Sequence, residues 1–134
     1  MTLLLDTNAL IWSLANADKL GPRAAHDISS STNQVYISNV SLLECAIKVR
    51  TGKLEITMDF SMIDTFLNQA NIQLIPFDAW TAAEYVKLPQ LSWADPFDTA
   101  IIAQAIAKRM TLVTSDHNII ELVTPGLRTF DAKK

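Results

Sequence analysis

The sequence predicts an α/β fold, a three-layer α/β/α sandwich around a mostly parallel sheet, with residues 1–134 forming one domain. Three observations carry this expectation. Short apolar runs alternate along the chain with longer segments of helical period. The strand candidates, Leu3-Leu4-Leu5 foremost, are apolar at successive positions, as strands covered by helices on both faces must be. With only three glycines, five prolines and no biased tract in 134 residues, nothing reads as a linker or a repeat.

The elements follow in order. Leu3-Leu4-Leu5 is a strand, and Ala9 to Ala15 a helix after it. Pro22 opens a second helix, to about Ser30, at the first helical position where its missing N–H costs nothing. Val35-Tyr36-Ile37 is the second strand, after which Ser38 or Asn39 caps a helix to about Thr51 that Gly52 stops. Phe60 to Asn71 is helical, and Ile72 to Ile75 is a strand ended by Pro76. Asp78 begins a helix reaching about Val86, and Leu88 to Ala94 is a loop. Pro96 to Arg109 reads as the longest helix; the strand Thr111 to Thr114, a helical turn near Asn118 to Leu122 and a strand near Arg128 to Phe130 complete the chain.

Composition narrows the function. No segment stays apolar for the roughly 18 residues that a membrane span requires. The opening Met1-Thr2-Leu3-Leu4-Leu5 meets a charge at Asp6 and reads as a strand, not a signal peptide. The single cysteine, Cys45, excludes an internal disulfide and fits a reducing compartment, so a cytoplasmic location is expected. A net charge of −3 argues at first against a nucleic-acid partner. Taking the negative charges of the four acids discussed next out of that total leaves +1 on the remainder. Charge alone therefore neither supports nor excludes RNA.

In parallel sheets, sites form beyond the carboxyl ends of the strands, where strand order reverses. Asp6 follows the first strand, and Asp116 follows the fourth in Val113-Thr114-Ser115-Asp116. Glu44 lies in the first turns of the helix after the second strand, and Asp98 in the first turn of the long helix, in Asp95-Pro96-Phe97-Asp98. Each has a plainer reading on its own. Asp6 could cap the first helix, and Glu44 could pair with Lys48 one turn on. Asp95 and Asp98 resemble a capping box, and Asp116 could make an Asx turn. Against four separate explanations stands the apolar run Thr99 to Ala107, a helix buried on most sides where a carboxylate needs a partner. Like charges gathered in such a place raise one another's pKa, and a divalent cation relieves them. Oxygen donors without a nearby histidine or cysteine suit Mg2+ or Mn2+. His26 and His117 lack zinc spacing and read as surface or loop residues, and Cys45 as a packed residue. A glycine-rich phosphate loop is missing, which excludes P-loop chemistry.

Taken together, the segments Leu3 to Leu10, Ser41 to Lys48, Asp95-Pro96-Phe97-Asp98 running into Ile101 to Ala105, and Leu112 to Asp116 resemble those of PIN-domain nucleases, more narrowly VapC-type toxins of bacterial toxin–antitoxin pairs. Gly52-Lys53-Leu54 fits the same branch. The resemblance implies a parallel-sheet α/β/α sandwich and Mg2+- or Mn2+-dependent endonucleolytic cleavage of RNA. It also implies an antitoxin partner and often a second copy of the chain. Carried over, Asp6, Glu44, Asp98 and Asp116 are the catalytic, metal-holding set, with Asp95 an auxiliary acid or a cap. Thr7, Asn8 and Thr114 are expected to hold carboxylates or water by hydrogen bonds. Where members often carry a histidine before the Asp95 position and an arginine after the Asp98 position, this chain has Trp93 and Thr99.

On this reading the carboxylates hold one or two ions that activate water for attack on a scissile phosphate. Lys48 and Arg50 are the first candidates for the RNA backbone, ahead of Lys53, Lys108 and Arg109. Trp12, Trp80 and Trp93 could stack bases, although core packing is expected of Trp12 and Trp80. A haloacid-dehalogenase-type phosphatase or phosphotransferase also opens with a strand ending in aspartate, but wants a second aspartate where this chain has Asn8. A receiver domain fits by topology alone. A catalytically weak binding module with the PIN fold is the third alternative.

Overall fold

The computed structural model describes residues 1–56 and 59–134. Strand β1 (Thr2–Leu5) leads into helix α1 (Thr7–Ala15), then α2 (Pro22–Ser29), β2 (Gln34–Ser38) and α3 (Asn39–Arg50). After α4 (Ile63–Gln69) come β3 (Ile72–Ile75), α5 (Ala79–Lys87), α6 (Pro96–Ala107), β4 (Thr111–Thr114), α7 (His117–Ile120) and β5 (Arg128–Asp131). Short 3-10 turns at Ala17–Lys19 and Phe60–Met62 precede α2 and α4. The five strands form one sheet in the order β3-β2-β1-β4-β5. Every pairing is parallel, with Leu5 level with Ile37 on one side and Val113 on the other.

The two-residue period of a strand sorts the core into two layers. Leu3 and Leu5 of β1, Val35 and Ile37 of β2, and Val113 of β4 face a cluster completed by Leu10, Ile63 and Leu67, with Trp12, Ile28 and Leu42 packed against it. Leu4 and Leu112 point the other way, onto Ile101, Ile102 and Ala105 of α6 and onto Ile119. Helices thus cover both faces, making the three-layer α/β/α sandwich. Full burial of each of the three leucines of β1 contributes about 1.5–3 kcal/mol, which fixes this strand at the sheet's centre.

Element ends differ from the sequence expectation in ways that backbone geometry explains. Helix α6 stops at Ala107, because Arg109 takes a left-handed conformation (φ 55°) that ends the turn. It has 12 residues, the same as α3, and so is not longer than that helix. The segment expected to be helical from Phe60 to Asn71 is a 3-10 turn followed by the seven-residue α4, and Asn71 (φ 57°) again supplies the left-handed stop. Gly52 (φ 77°) ends α3 as expected.

Candidate functional site

The strand order turns about β1 and β4, so their carboxyl ends lie side by side at the switch point of the sheet. A pocket of about 150 Å3 opens there. Asp6, Glu44, Asp98 and Asp116 all line it, together with Asp95, Thr7, Asn8, Lys48 and Ile101. The four acids come from four different elements. A roomier groove of about 420 Å3, lined by Tyr85, Leu88, Leu91 and neighbours, shares only the Asp95 side of this pocket and lacks its charge.

Local structure fixes each carboxylate. Asp6 is the N-cap of α1 and accepts the Ala9 N–H at 2.7 Å. Asp116 caps α7, accepting the Asn118 N–H at 2.8 Å, while its own N–H donates to the Thr114 hydroxyl at 3.1 Å. Asp95 caps α6 by accepting the Asp98 N–H at 2.8 Å, and Asp98 closes the box with a long 3.4 Å bond from the Asp95 N–H. The capping roles and the pocket therefore coexist: a cap uses one carboxylate oxygen and leaves another for the pocket. Glu44 is held differently. The buried Thr7 hydroxyl donates to its Oε1 at 2.6 Å, and the Lys48 ammonium lies 2.7 Å from its Oε2.

The acids sense one another. Burial raises the Asp6 carboxyl above its ordinary pKa, interactions with Thr114 and the Ala9 N–H pull it down, and the charges of Glu44 and Asp116 raise it further. Asp98 is pushed up to about 6, first by burial, then by the charge of Asp95, with Glu44 and Asp116 adding to it. Ionised together, these groups oppose one another in a partly dry site, and added positive charge would relieve them. Among the described residues no three Asp, Glu, His or Cys side chains already stand close enough to share one ion. In chemistry the donors still fit a hard divalent cation, since they are carboxylate oxygens with neither thiolate nor imidazole among the lining residues.

The Thr7 hydroxyl donates to the Glu44 carboxylate and the Thr114 hydroxyl accepts the Asp116 backbone N–H, while Asn8 is exposed at the rim. Ser41, not singled out from sequence, is fully buried 3.1 Å from the Thr7 hydroxyl; its place three residues before Glu44 is the signal that could have found it. Arg50 is exposed and does not line the pocket. Lys108 points elsewhere, bonding Asp78 at 2.6 Å and lying 4.8 Å over the Trp80 ring. Trp80 is therefore not a core residue: it is 61% exposed, held by that cation, whereas Trp12 packs against the core as expected. Cys45 is buried, and burial followed by the Glu44 charge pushes its thiol up to about 11, so it stays protonated and inert. His26 and His117 are surface residues.

No curated protein matches the chain. Its fold resembles that of a chain of VapBC2 from Rickettsia felis, solved bound to a DNA fragment from their promoter, with a TM-score of 0.72 and 23% identity over 97% of this chain and 98% of that one. A chain of DNA-bound VapBC from Salmonella typhimurium gives a TM-score of 0.67 and 19% identity over 98% of both chains. A chain of FitAcB from Neisseria gonorrhoeae gives 0.59 and 19% over 97% of both. The family model described as the PIN domain matches residues 3–123, which take in all four acids, and the chain belongs to the PIN-domain family.

Proposed function

We propose that this protein is a divalent-metal-dependent endoribonuclease acting as the toxin of a toxin–antitoxin pair. The observation that carries the reading is the convergence of Asp6, Glu44, Asp98 and Asp116, from four elements, on one pocket at the switch point of a PIN-family sheet. That the structures resembling it include VapBC complexes supports an antitoxin as its protein partner. Association with a second copy, a cytoplasmic location and a single domain over residues 1–134 belong to the same reading. Among the described residues no helix is long and apolar enough to cross a membrane.

Asp6, Glu44, Asp98 and Asp116 would hold the ion, with Asp95 at the margin of the set. Mg2+ or Mn2+ bound there supplies the Lewis-acid charge that lets water attack a phosphodiester near neutral pH. The chain's own part is to preorganise that charge. Asp6 and Asp116 cannot swing away, because each is anchored to a backbone N–H of the helix it caps. Thr7 fixes the orientation of Glu44 through Oε1, and Ser41 lies against the Thr7 hydroxyl. Asp98 must be ionised to bind a cation, so protons compete with the ion for it below about pH 6. Lys48 at the pocket and Arg50, exposed at the end of α3, are the cations nearest in sequence to Glu44 for the RNA backbone.

The test is cleavage of a mixed single-stranded RNA pool by the full chain, with Mn2+, with Mg2+ and with chelator, beside Asp6→Asn and Asp98→Asn. Cutting should require metal and fall by about two orders of magnitude or more in each variant, the loss typical when a positioned charge is removed. Cutting that persists in chelator or in both variants overturns the reading.

A further inference from the structure

We infer that Lys48 is the built-in counter-ion of this pocket, occupying a place on Glu44 that a metal ion must take from it. The inference rests on the reading of the pocket as a metal site and concerns the order in which its charges are exchanged. Both oxygens of Glu44 are engaged: Oε1 accepts from the Thr7 hydroxyl at 2.6 Å, and Oε2 lies 2.7 Å from the Lys48 ammonium. The Glu44 side chain is only 8% exposed, so a partner that leaves must be replaced from within the pocket, whereas Lys48 is 40% exposed and can turn outward at little cost. Five carboxylates line the pocket, and Lys48 is the one cation among the lining residues. Thr7 is itself buried and tied to Ser41, which leaves Oε2 as the exchangeable side of Glu44.

Three consequences follow. Without metal, Lys48 keeps the site folded by neutralising a buried charge. An entering divalent ion displaces it from Oε2, so Lys48 weakens metal binding in the absence of substrate. The released ammonium, already at the pocket wall, then meets the phosphate of an incoming polyanion, so that metal and polyanion strengthen each other's binding. Lys48 is on this account a positioning residue that acts through Glu44.

The experiment measures Mn2+ affinity of the full chain by electron paramagnetic resonance, without nucleic acid, for the wild type, Lys48→Met, Lys48→Arg and the exposed-charge control Lys87→Met. Thermal melting is followed in chelator and in Mn2+. Lys48→Met should bind Mn2+ roughly tenfold tighter, the effect of removing one positive charge a few ångströms from a divalent ion. It should also melt about 3 °C or more lower in chelator, a gap that Mn2+ closes. Lys48→Arg and the control should stay near the wild type. A purely structural role would lower the melting point without tightening Mn2+. Wild-type-like or weaker Mn2+ binding by Lys48→Met, with the wild type binding normally, overturns the exchange alone. A wild type that binds no Mn2+ overturns both the exchange and the nuclease reading.

Discussion

Asp98 concentrates the conflict between stability and chemistry in one side chain. It sits half-buried in the first turn of α6, beside Asp95, with a carboxyl pushed up from 3.8 to about 6 by burial and by that neighbour's charge. A carboxyl with a higher pKa folded than unfolded favours folding while protonated and opposes it once ionised. The opposition is absent below about pH 4, grows towards pH 6 and is constant above. The full shift corresponds to about 3 kcal/mol. Solvent screening of this half-exposed group reduces that to about 1 kcal/mol. Asp98→Asn keeps an oxygen for the Asp95 N–H, so it should raise the metal-free melting temperature at pH 7.5 by about 3 °C and leave it unchanged at pH 4. Melting in chelator at the two pH values checks this; a lower melting point at pH 7.5 would mean that like-charge strain is not stored here. The same residue explains what single positions can tell a reader of the sequence. Asp6, Asp95 and Asp116 could each be read as caps or as site residues, and each is a cap that also lines the pocket. The alternatives were never exclusive, because a carboxylate has two oxygens. For Ser41 the sequence offers only its place three residues before Glu44, and its role becomes plain once Thr7 is seen to lie against it.

At the scale of elements, the strands were legible and the ends of helices less so. An all-leucine strand can be nothing but central, and β1 is; β4 and β2 follow from the same apolar runs. Helix ends depend on single left-handed residues, and Arg109 and Asn71 end α6 and α4 earlier than hydrophobic period alone indicates. Trp80 was misplaced in the core because its partner, Lys108, belongs to another element. Gly21 illustrates the same limit. Its φ of −66° is open to any residue, so its need for glycine is purely steric. A Cβ there would lie 2.3 Å from the backbone carbon of Lys134 and 2.4 Å from the Lys133 carbonyl. The Gly21 N–H donates to Ala132 O and the Arg23 N–H to Lys134 O, both at 2.9 Å, so the start of α2 clamps the segment after β5. Gly21→Ala must push that clamp open and should cost about 1–3 kcal/mol. The check is hydrogen exchange: the amides of Gly21 and Arg23 should lose protection while those of β1 keep it. Gly52→Ala, at φ 77° with open space around it, should cost about 1 kcal/mol by backbone strain alone, without that local loss.

Across the whole molecule, parallel pairing and the strand order bring carboxylates from four elements to one edge. The alternation of strands and helices implied that edge, but no pattern in the sequence gives the distances across it. On the proposed reading, those distances decide how the molecule would respond to metal. Among the described residues no three acids already share one ion's reach, Lys48 holds Glu44, and both Asp6 and Asp98 have carboxyls raised above their ordinary range. A divalent ion that gathers them must therefore release protons as it binds. The sign follows from the raised carboxyls. Below about pH 6 protons compete with the ion for Asp98, and above it that competition ends. Through Asp98, Mn2+ affinity should accordingly rise by up to about tenfold per pH unit between pH 5 and 6, the slope for one proton released per ion bound, with the part due to Asp98 levelling off by about pH 7. Titration of the full chain with Mn2+ at pH 5, 6, 7 and 8 measures the slope. Asp98→Asn should lower the slope by that one proton, which is gone together with a ligand, leaving what Asp6 contributes. An affinity independent of pH across that range would mean that Asp98 is not among the groups the ion meets. The role of α6 would then be reduced to covering the sheet.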